Sequence, residues 1–205
     1  MSFFENTRKP VGLAGKIMVA MMNLGHGPVA RWGLQFLEFA PDAKVLDCGC
    51  GGGANIKRLL KKCPEGIVKG IDYSPVSVEK SKKVNEAAIT EGRCAVLQGS
   101  VANMIFAGDW FDAVTAFETV YFWPDLPQCF REVYRVLKPG GTFLICNEAN
   151  GDTDKDEKWT EIIGGMTIYS GDELKTFLEN AEFCNVQIHK NKMGWLCVTG
   201  QKREE

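Results

Sequence analysis

Short apolar runs alternate with amphipathic stretches along the first three quarters of the chain. The apolar runs have the length of buried strands and lie at 44–48, 66–71, 94–98, 112–117 and 142–147. Apolar residues at helical spacing fill the segments between them, at 55–62, 75–88 and 125–137. Ser74 caps the second of these helices, and the turn residues 138–141 end the third. Strands that alternate with helices predict a parallel sheet with crossover helices.

The end of the chain follows a different pattern. Ser170 and Glu173 have the spacing of a capping box, which predicts a helix that continues to about residue 180. Two apolar runs follow, at 186–189 and 195–199, and a short turn separates them. Strands joined by so short a turn form a hairpin, so we expect them to be antiparallel.

These patterns predict an α/β fold: a Rossmann-like doubly wound sheet, mostly parallel, with an antiparallel hairpin at its end. A chain of 205 residues is long enough for one domain. We divide it into a helical cap at 8–40, broken near 25–28, a core at 43–148 and a final part at 149–205. The final part begins with a polar link and a segment at 159–166. We expect the cap and this link to cover the strand ends, where such sheets bind ligands.

Composition narrows the partners and the compartment. The formal net charge of −2 gives no argument for nucleic acid or an anionic membrane as a partner. No apolar run approaches the ~20 residues of a membrane span. The first six residues lack the charged-then-apolar order of a signal peptide. We therefore expect a cytoplasmic protein with a small-molecule partner, and neither a nucleic acid nor a membrane.

The eight cysteines do not follow the spacing of a metal site. None forms a CxxC pair, and most lie inside apolar runs, where cysteine behaves as a small buried hydrophobic residue. Cys48 and Cys50 come nearest to a metal pair, but the first ends a strand and the second lies in the following turn. The sequence therefore predicts no metal.

The segment Val45–Gly53 carries the strongest chemical signal. An apolar strand ends at Asp47, a glycine-rich turn follows at once, and a helix begins just after it. This arrangement presents backbone N–H groups to a small ligand. Glycine permits positive φ in such a turn and lets the ligand approach the backbone closely.

Two cofactors fit this turn. Gly49-x-Gly51-x-x-Ala54 matches the relaxed dinucleotide fingerprint, and Asp72 follows at the distance of a ribose-binding acid, so NAD is one hypothesis. Asp47 argues for a ligand with cationic groups instead, because its charge would face phosphates at a cost of ~1–4 kcal/mol. S-adenosylmethionine carries an ammonium and a sulfonium group and no phosphate. The chain also has no room for a dehydrogenase's second domain, and its terminal hairpin is unlike a second mononucleotide-binding half.

The chain resembles a class I S-adenosylmethionine-dependent methyltransferase of the small type 11 methyltransferase-domain kind. The residues that carry the resemblance lie, in order, at Val45–Gly53, Gly70–Ser74, Phe111–Val114 and Glu132–Gly141. The resemblance runs from about Ala43 to Glu148, and the terminal helix and hairpin extend it. It implies S-adenosyl-L-methionine as the cofactor.

The resemblance also implies a set of cofactor-binding residues. The loop beneath the methionine part would be formed by Asp47, Gly49, Gly51 and Gly53. Asp72 would accept hydrogen bonds from the ribose hydroxyls. The residues expected around the adenine and the methyl group are Tyr73, Ser100, Val101 and Phe117. Where the family usually has an acid, this chain has Ser100, which leaves the Val101 backbone as the expected contact to the adenine edge.

Candidate catalytic residues follow from the place where an acceptor should meet the methyl group. Methyl transfer is an in-line displacement at a carbon that is already activated, so the protein mainly aligns the acceptor and excludes water. The fourth strand runs into an aromatic segment at 117–124, where Glu118 and Tyr121 are placed to bind or deprotonate an acceptor. His26, between two glycines, is a third candidate base.

The sequence therefore predicts a methyltransferase that acts on a small or medium-sized acceptor. Three alternatives remain open: an NAD-dependent oxidoreductase, a non-catalytic module that binds a nucleoside, and a structural or interaction protein that binds neither ligand. The sequence does not distinguish O-, N-, C- or S-methylation.

Overall fold

A computed structural model of the protein describes residues 25–152 and 154–204. In this part of the chain the strands are β1 (Lys44–Cys48), β2 (Ile67–Asp72), β3 (Cys94–Gln98), β4 (Phe111–Phe117), β5 (Leu137–Asn147), β6 (Cys184–Lys190) and β7 (Leu196–Gln201). The helices are α1 (Gly27–Gly33), α2 (Ala54–Lys62), α3 (Pro75–Val84), α4 (Glu86–Thr90), α5 (Leu126–Val136), α6 (Asp154–Ile162) and α7 (Gly171–Asn180). Two 3₁₀ turns lie at Leu34–Phe36 and Val120–Phe122.

The strands form one sheet in the order β3-β2-β1-β4-β5-β7-β6. β1 to β5 are parallel, whereas β7 is antiparallel to both β5 and β6. The predicted sheet and its terminal antiparallel hairpin are therefore confirmed. The capping box at Ser170 is also present, with both of its hydrogen bonds. None of the helices in the described residues is long and apolar enough to cross a membrane.

Successive residues of a strand point to opposite faces of the sheet, so both faces carry apolar side chains, and helices cover both of them. Val45 packs in a cluster with residues of α1 and α2, while the next residue, Leu46, packs in a second cluster with residues of α5 and α7. Burying each of these aliphatic side chains contributes ~1.5–3 kcal/mol. A strand buried on both faces reads as a continuous apolar run, which is why the strands could be located from the sequence.

Two predicted elements differ from the structure. The helix expected over 75–88 breaks at Asn85, whose side-chain amide donates to the carbonyl oxygens of Gly53 and Ser81, both at 3.0 Å. The turn expected at 138–141 instead begins β5, because backbone hydrogen bonds with Lys202 pair it with the end of the chain. Of the predicted cap at 8–40, residues 8–24 lie outside the described part of the chain. The eight cysteines are all free thiols, and seven of them are buried.

Candidate active site

A cavity of about 310 Å³ opens at the carboxyl ends of β1, β2 and β4. From β1 the strand order runs outward through β2 to β3 on one side, and the chain then crosses to β4 on the other side of β1. The strand order therefore reverses at β1. Ligands of doubly wound sheets bind at such a point. The walls come from the loops that follow the strands, at 49–52, 71–73, 99–101 and 117–124, together with α2 and His26.

The glycine loop after β1 forms the floor of the cavity. The amide groups of Gly49 and Cys50 donate to the carbonyl oxygen of Ile71, which ties the loop to the end of β2. Gly49 and Gly51 both have positive φ, at 69° and 51°. A Cβ at Gly49 would overlap the Thr119 side chain, whereas a Cβ at Gly51 would meet nothing within 4 Å. The backbone at Gly51 is therefore open to a ligand.

Asp72 links this loop to the helix that follows β2. One carboxylate oxygen accepts from the Gly51 amide and the other from the Ser74 amide, each at 2.9 Å. Burial raises the pKa of Asp72, and these two hydrogen bonds lower it in part. The carboxylate lines the cavity and each of its oxygens can accept a second hydrogen bond, which suits the two hydroxyls of a ribose.

The wall beyond Asp72 is formed by Tyr73, Ser100 and Val101. Tyr73 is 40% exposed and presents its ring at the rim of the cavity. The Ser100 hydroxyl accepts from the Ala102 amide at 3.2 Å, so its oxygen is already engaged in a local turn. A flat ring, a small hydroxyl and an apolar side chain make a surface that an adenine can occupy.

Asp47 lies beneath the glycine loop and does not line the cavity. It is 1% exposed, and one carboxylate oxygen accepts from the Thr115 hydroxyl at 2.8 Å. The other oxygen is buried without a hydrogen-bond partner. Burial raises the pKa of Asp47 to about 7, although the Thr115 hydrogen bond lowers it. Both the position of Asp47 outside the cavity and its raised pKa weaken the sequence argument that this charge alone repels a diphosphate.

The opposite end of the cavity carries acidic and aromatic side chains. Glu118, at the end of β4, has φ of 56°, and its carboxylate accepts a short hydrogen bond from the Glu148 amide. Ligand atoms of His26, Glu118 and Glu148 all lie within 4.8 Å of one another. Among the described residues, neither carboxylate forms an ion pair. The aromatic wall beside this group consists of Phe117, Phe122 and Trp123.

Burial and like charge shift the protonation of this acidic group. The pKa of Glu118 is raised well above its usual value, first by burial and then by the Glu148 carboxylate. Burial also raises the pKa of Glu148 and lowers that of His26. His26 is therefore neutral near pH 7, and Glu118 holds a proton more readily than an exposed glutamate does. A carboxyl group with a raised pKa is a better proton acceptor once it is ionised, and it can return the proton later.

Residues 46–145 match a family model described as a methyltransferase domain. These residues form a methyltransferase domain of the class I S-adenosylmethionine-dependent kind. This confirms the family that the sequence motifs suggested. S-adenosylmethionine is the cofactor of this family, and the cavity fits it: the Gly51 backbone is open and the Asp72 carboxylate lines the space.

Similarity to known proteins extends beyond this domain. The Oryza sativa cycloartenol-C-24-methyltransferase 1 is 34% identical over 109 residues, which are 53% of this chain and 31% of that protein. A chain of the complex between the Haloferax volcanii Trm112 methyltransferase activator and a methyltransferase aligns with a TM-score of 0.84 at 21% identity, covering 94% of this chain and 96% of that one. An Aquifex aeolicus S-adenosylmethionine-dependent methyltransferase aligns with a TM-score of 0.75 at 17% identity, covering 91% and 98%.

The two solved structures share the fold of this methyltransferase. The sequence relatives are longer than the chain, which spans about a third to a half of the length of the curated relatives it matches.

Most of the predicted site residues of the methyltransferase meet in this one cavity. Its lining includes the predicted residues His26, Gly49, Gly51, Asp72, Tyr73, Ser100, Val101, Phe117 and Glu118. Asp47, Gly53 and Tyr121 do not reach it. A Cβ at Gly53 would overlap Ser81 and Asn85, so this glycine is required by packing against α3. The Tyr121 hydroxyl bonds to the backbone of Ala149, and its side chain also hydrogen-bonds Glu118, so it touches the site only through its neighbours.

Sequence reasoning missed three side chains at or near the cavity of the methyltransferase. Asn55 and Arg58 lie on the first turns of α2 and line the cavity, and Glu148 follows β5 beside Glu118. The first two carried a detectable signal, because they are polar residues three apart, directly after a ligand-binding glycine loop. Glu148 had none, since only the pairing of β4 with β5 brings it to Glu118.

Proposed function

We propose that the chain transfers a methyl group from S-adenosylmethionine to a small or medium-sized acceptor. The observation that carries this proposal is the division of the cavity into two ends. At one end, the Asp72 carboxylate offers hydrogen-bond acceptors for a nucleoside, and the backbone at Gly51 leaves open space for it. At the other end Glu118 faces an aromatic wall, where a second molecule can meet the methyl group.

The proposed placement of the cofactor follows from these ends. Asp72 holds the ribose, and the adenine lies against Tyr73 and the turn at Ser100 and Val101. Gly49, Gly51 and Phe117 would hold the methionine part. Asp47 and Gly53 act from outside the cavity: Asp47 supports the loop from below, and Gly53 lets α3 pack closely against it.

When bound, the cofactor supplies a methyl group already activated on a positively charged sulfur. The protein's own residues then have to place the acceptor, exclude water and accept any proton that the acceptor releases. We propose that Glu118 accepts this proton, because its raised pKa favours the protonated form. His26, which lies beside Glu118, then passes the proton to solvent. Tyr121 is assigned a positioning role, because its hydroxyl fixes the backbone that follows Glu148.

An apolar acceptor suits the aromatic wall best. Phe122 and Trp123 offer ring surfaces, and the Glu118 and Glu148 carboxylates disfavour an anionic acceptor. The relative from Oryza sativa is, by its name, a C-24-methyltransferase of cycloartenol, which is an apolar acceptor. We also propose a cytoplasmic location and a small-molecule partner, rather than a nucleic acid or a membrane, since the eight thiols are free as in a reducing compartment.

The test is a methyl-transfer assay with isotopically labelled S-adenosylmethionine and a panel of acceptors. The panel contains a sterol or other alkene, a phenol, an amine, a carboxylate and an RNA. We expect labelled product from an apolar, uncharged acceptor and none from the carboxylate. Cofactor binding without product from any acceptor would favour the non-catalytic alternative, and product from the RNA alone would contradict the acceptor class.

A further inference from the structure

Two arginines converge on the glycine that begins α1. A Cβ built on Gly27 would lie 2.9 Å from Nη2 of Arg58 and 3.3 Å from Nη1 of Arg31. The two guanidinium groups therefore pack over the same stretch of bare backbone, one reaching it from α2 and the other from α1. Arg58 also lines the cavity, next to Asn55.

Neither guanidinium has a carboxylate partner among the described residues. Arg58 donates to the Asn55 side-chain oxygen at 2.7 Å, which occupies one of its five N–H donors. Burial lowers the pKa of Arg58, and the charge of Arg31 lowers it further. Asp47 acts in the opposite direction, but its carboxylate lies beneath the loop and forms no ion pair with Arg58. Arg58 is therefore a positive charge at the wall of the cavity, with a second positive charge behind it on Arg31, and such an arrangement favours a bound anion.

The position of the pair indicates which anion. Arg58 follows the glycine loop by about one helical turn, on the helix that leaves β1, whereas Tyr73 and Ser100 follow the strands β2 and β3. With the ribose at Asp72, the amino-acid part of the cofactor extends over the loop toward this helix. Its carboxylate is the only anionic group of the cofactor.

We propose that Arg58, supported by Arg31, binds the α-carboxylate of the cofactor's methionine part. A guanidinium matches a carboxylate with two parallel N–H donors, which adds both strength and direction. Gly27 has a role in this site, because a side chain there would displace both guanidinium groups. This assignment rests on the proposed function and adds a binding contact that orients the methyl group.

The test pairs a change in the protein with a change in the ligand. Calorimetry compares S-adenosylhomocysteine with its decarboxylated analogue, S-adenosyl-3-thiopropylamine, on the wild type and on Arg58→Met. We expect Arg58→Met to weaken the binding of S-adenosylhomocysteine by about 10- to 100-fold, because a charge-assisted hydrogen bond is lost. The analogue should bind the wild type and the variant equally. Arg58→Lys should recover part of the lost affinity, and Arg31→Met should show a smaller loss of the same kind.

Lys57→Met is the matched control. Lys57 is the preceding residue of α2, is exposed and carries the same charge, so both ligands should bind this variant as they bind the wild type. Unchanged S-adenosylhomocysteine affinity in Arg58→Met would overturn the assignment. An equal loss of affinity for both ligands would also overturn it, because Arg58 would then only support the loop and Asp47. A wild type that binds neither ligand would overturn the proposed function itself, so the two failures are distinguishable.

Discussion

The two ends of the cavity are built in different ways. The nucleoside end is built from the ends of adjacent strands: the glycine loop after β1 donates backbone hydrogen bonds to Ile71 and to the Asp72 carboxylate at the end of β2. The acceptor end combines side chains from α1, β4 and the segment after β5, at His26, Glu118 and Glu148. A ligand common to a whole family can be bound by local backbone geometry. An acceptor that differs between members requires side chains from separate segments, which can vary independently.

The largest effect is expected at the acceptor end. Glu118→Gln keeps the shape of the side chain but cannot take a proton, so kcat should fall by roughly 10²–10⁴ with an acceptor that loses one. S-adenosylhomocysteine affinity, measured by calorimetry, should change by less than about threefold because Glu118 is remote from Asp72. A loss of cofactor affinity as large as the loss of kcat would mean that the two ends are not separate.

A methyl group added to the glycine loop should disable the nucleoside end. Gly49→Ala places a Cβ against Thr119 at positive φ, and the combined strain and overlap should cost about 2–4 kcal/mol of stability. Thermal unfolding and calorimetry should show a lower melting temperature and weak cofactor binding.

Gly92→Ala is the control for this variant. Gly92 also has positive φ, at 75°, but nothing lies within 4 Å of the added Cβ. It should lose only about 1–2 kcal/mol of stability and keep its cofactor affinity. Equal behaviour of the two variants would show that backbone conformation, and not the closeness of Thr119, explains the requirement for glycine at position 49.

A moderate effect is expected from Asp72→Ala. Removing the carboxylate leaves the ribose hydroxyls and the Gly51 amide without a hydrogen-bond partner. The binding of S-adenosylhomocysteine should therefore weaken by roughly 1–3 kcal/mol. The 2′,3′-dideoxy analogue of the ligand has no such hydroxyls, so its affinity should fall less than that of the parent ligand. Equal losses for both ligands would assign Asp72 to the loop alone.

The smallest effect is a shift in pH dependence from Glu148→Gln. Burial and the Glu148 charge both raise the pKa of Glu118, and Glu118 acts as a base only when it has lost its proton. The rate should therefore fall as the pH drops through this raised pKa. Removing the Glu148 charge lowers the pKa of Glu118, so the acidic limb of the kcat/KM profile should move to lower pH. An unmoved limb would show that Glu148 does not affect the proton on Glu118.

The contrast between the two ends also explains what the sequence predicted. The strands and the sheet followed from apolar runs and their spacing, and Gly49, Gly51 and Asp72 followed from one short motif. The break at Asn85 was missed, because it depends on hydrogen bonds between that side chain and backbone carbonyls, one of them in the distant glycine loop. Local pattern holds no information about such a contact.

Side-chain direction was the second limit of sequence reasoning. β1 is buried on both faces, so its pattern does not indicate that Asp47 points beneath the loop. Tyr121 lies in a 3₁₀ turn, where strand alternation no longer applies, and its hydroxyl bonds to the Ala149 backbone instead of lining the cavity. The proximity of His26 to Glu118 depends on how α1 packs on the sheet, which composition and periodicity do not determine.

The most direct test of the central claim, that this cavity binds S-adenosylmethionine through Asp72 and the glycine loop, is a calorimetric titration of the full chain. S-adenosylhomocysteine and NADH are titrated separately, at neutral pH and equal concentrations. We expect one saturable site for S-adenosylhomocysteine, weakened in Asp72→Ala, and no measurable heat from NADH. Saturable binding of NADH with no response to S-adenosylhomocysteine would contradict the account.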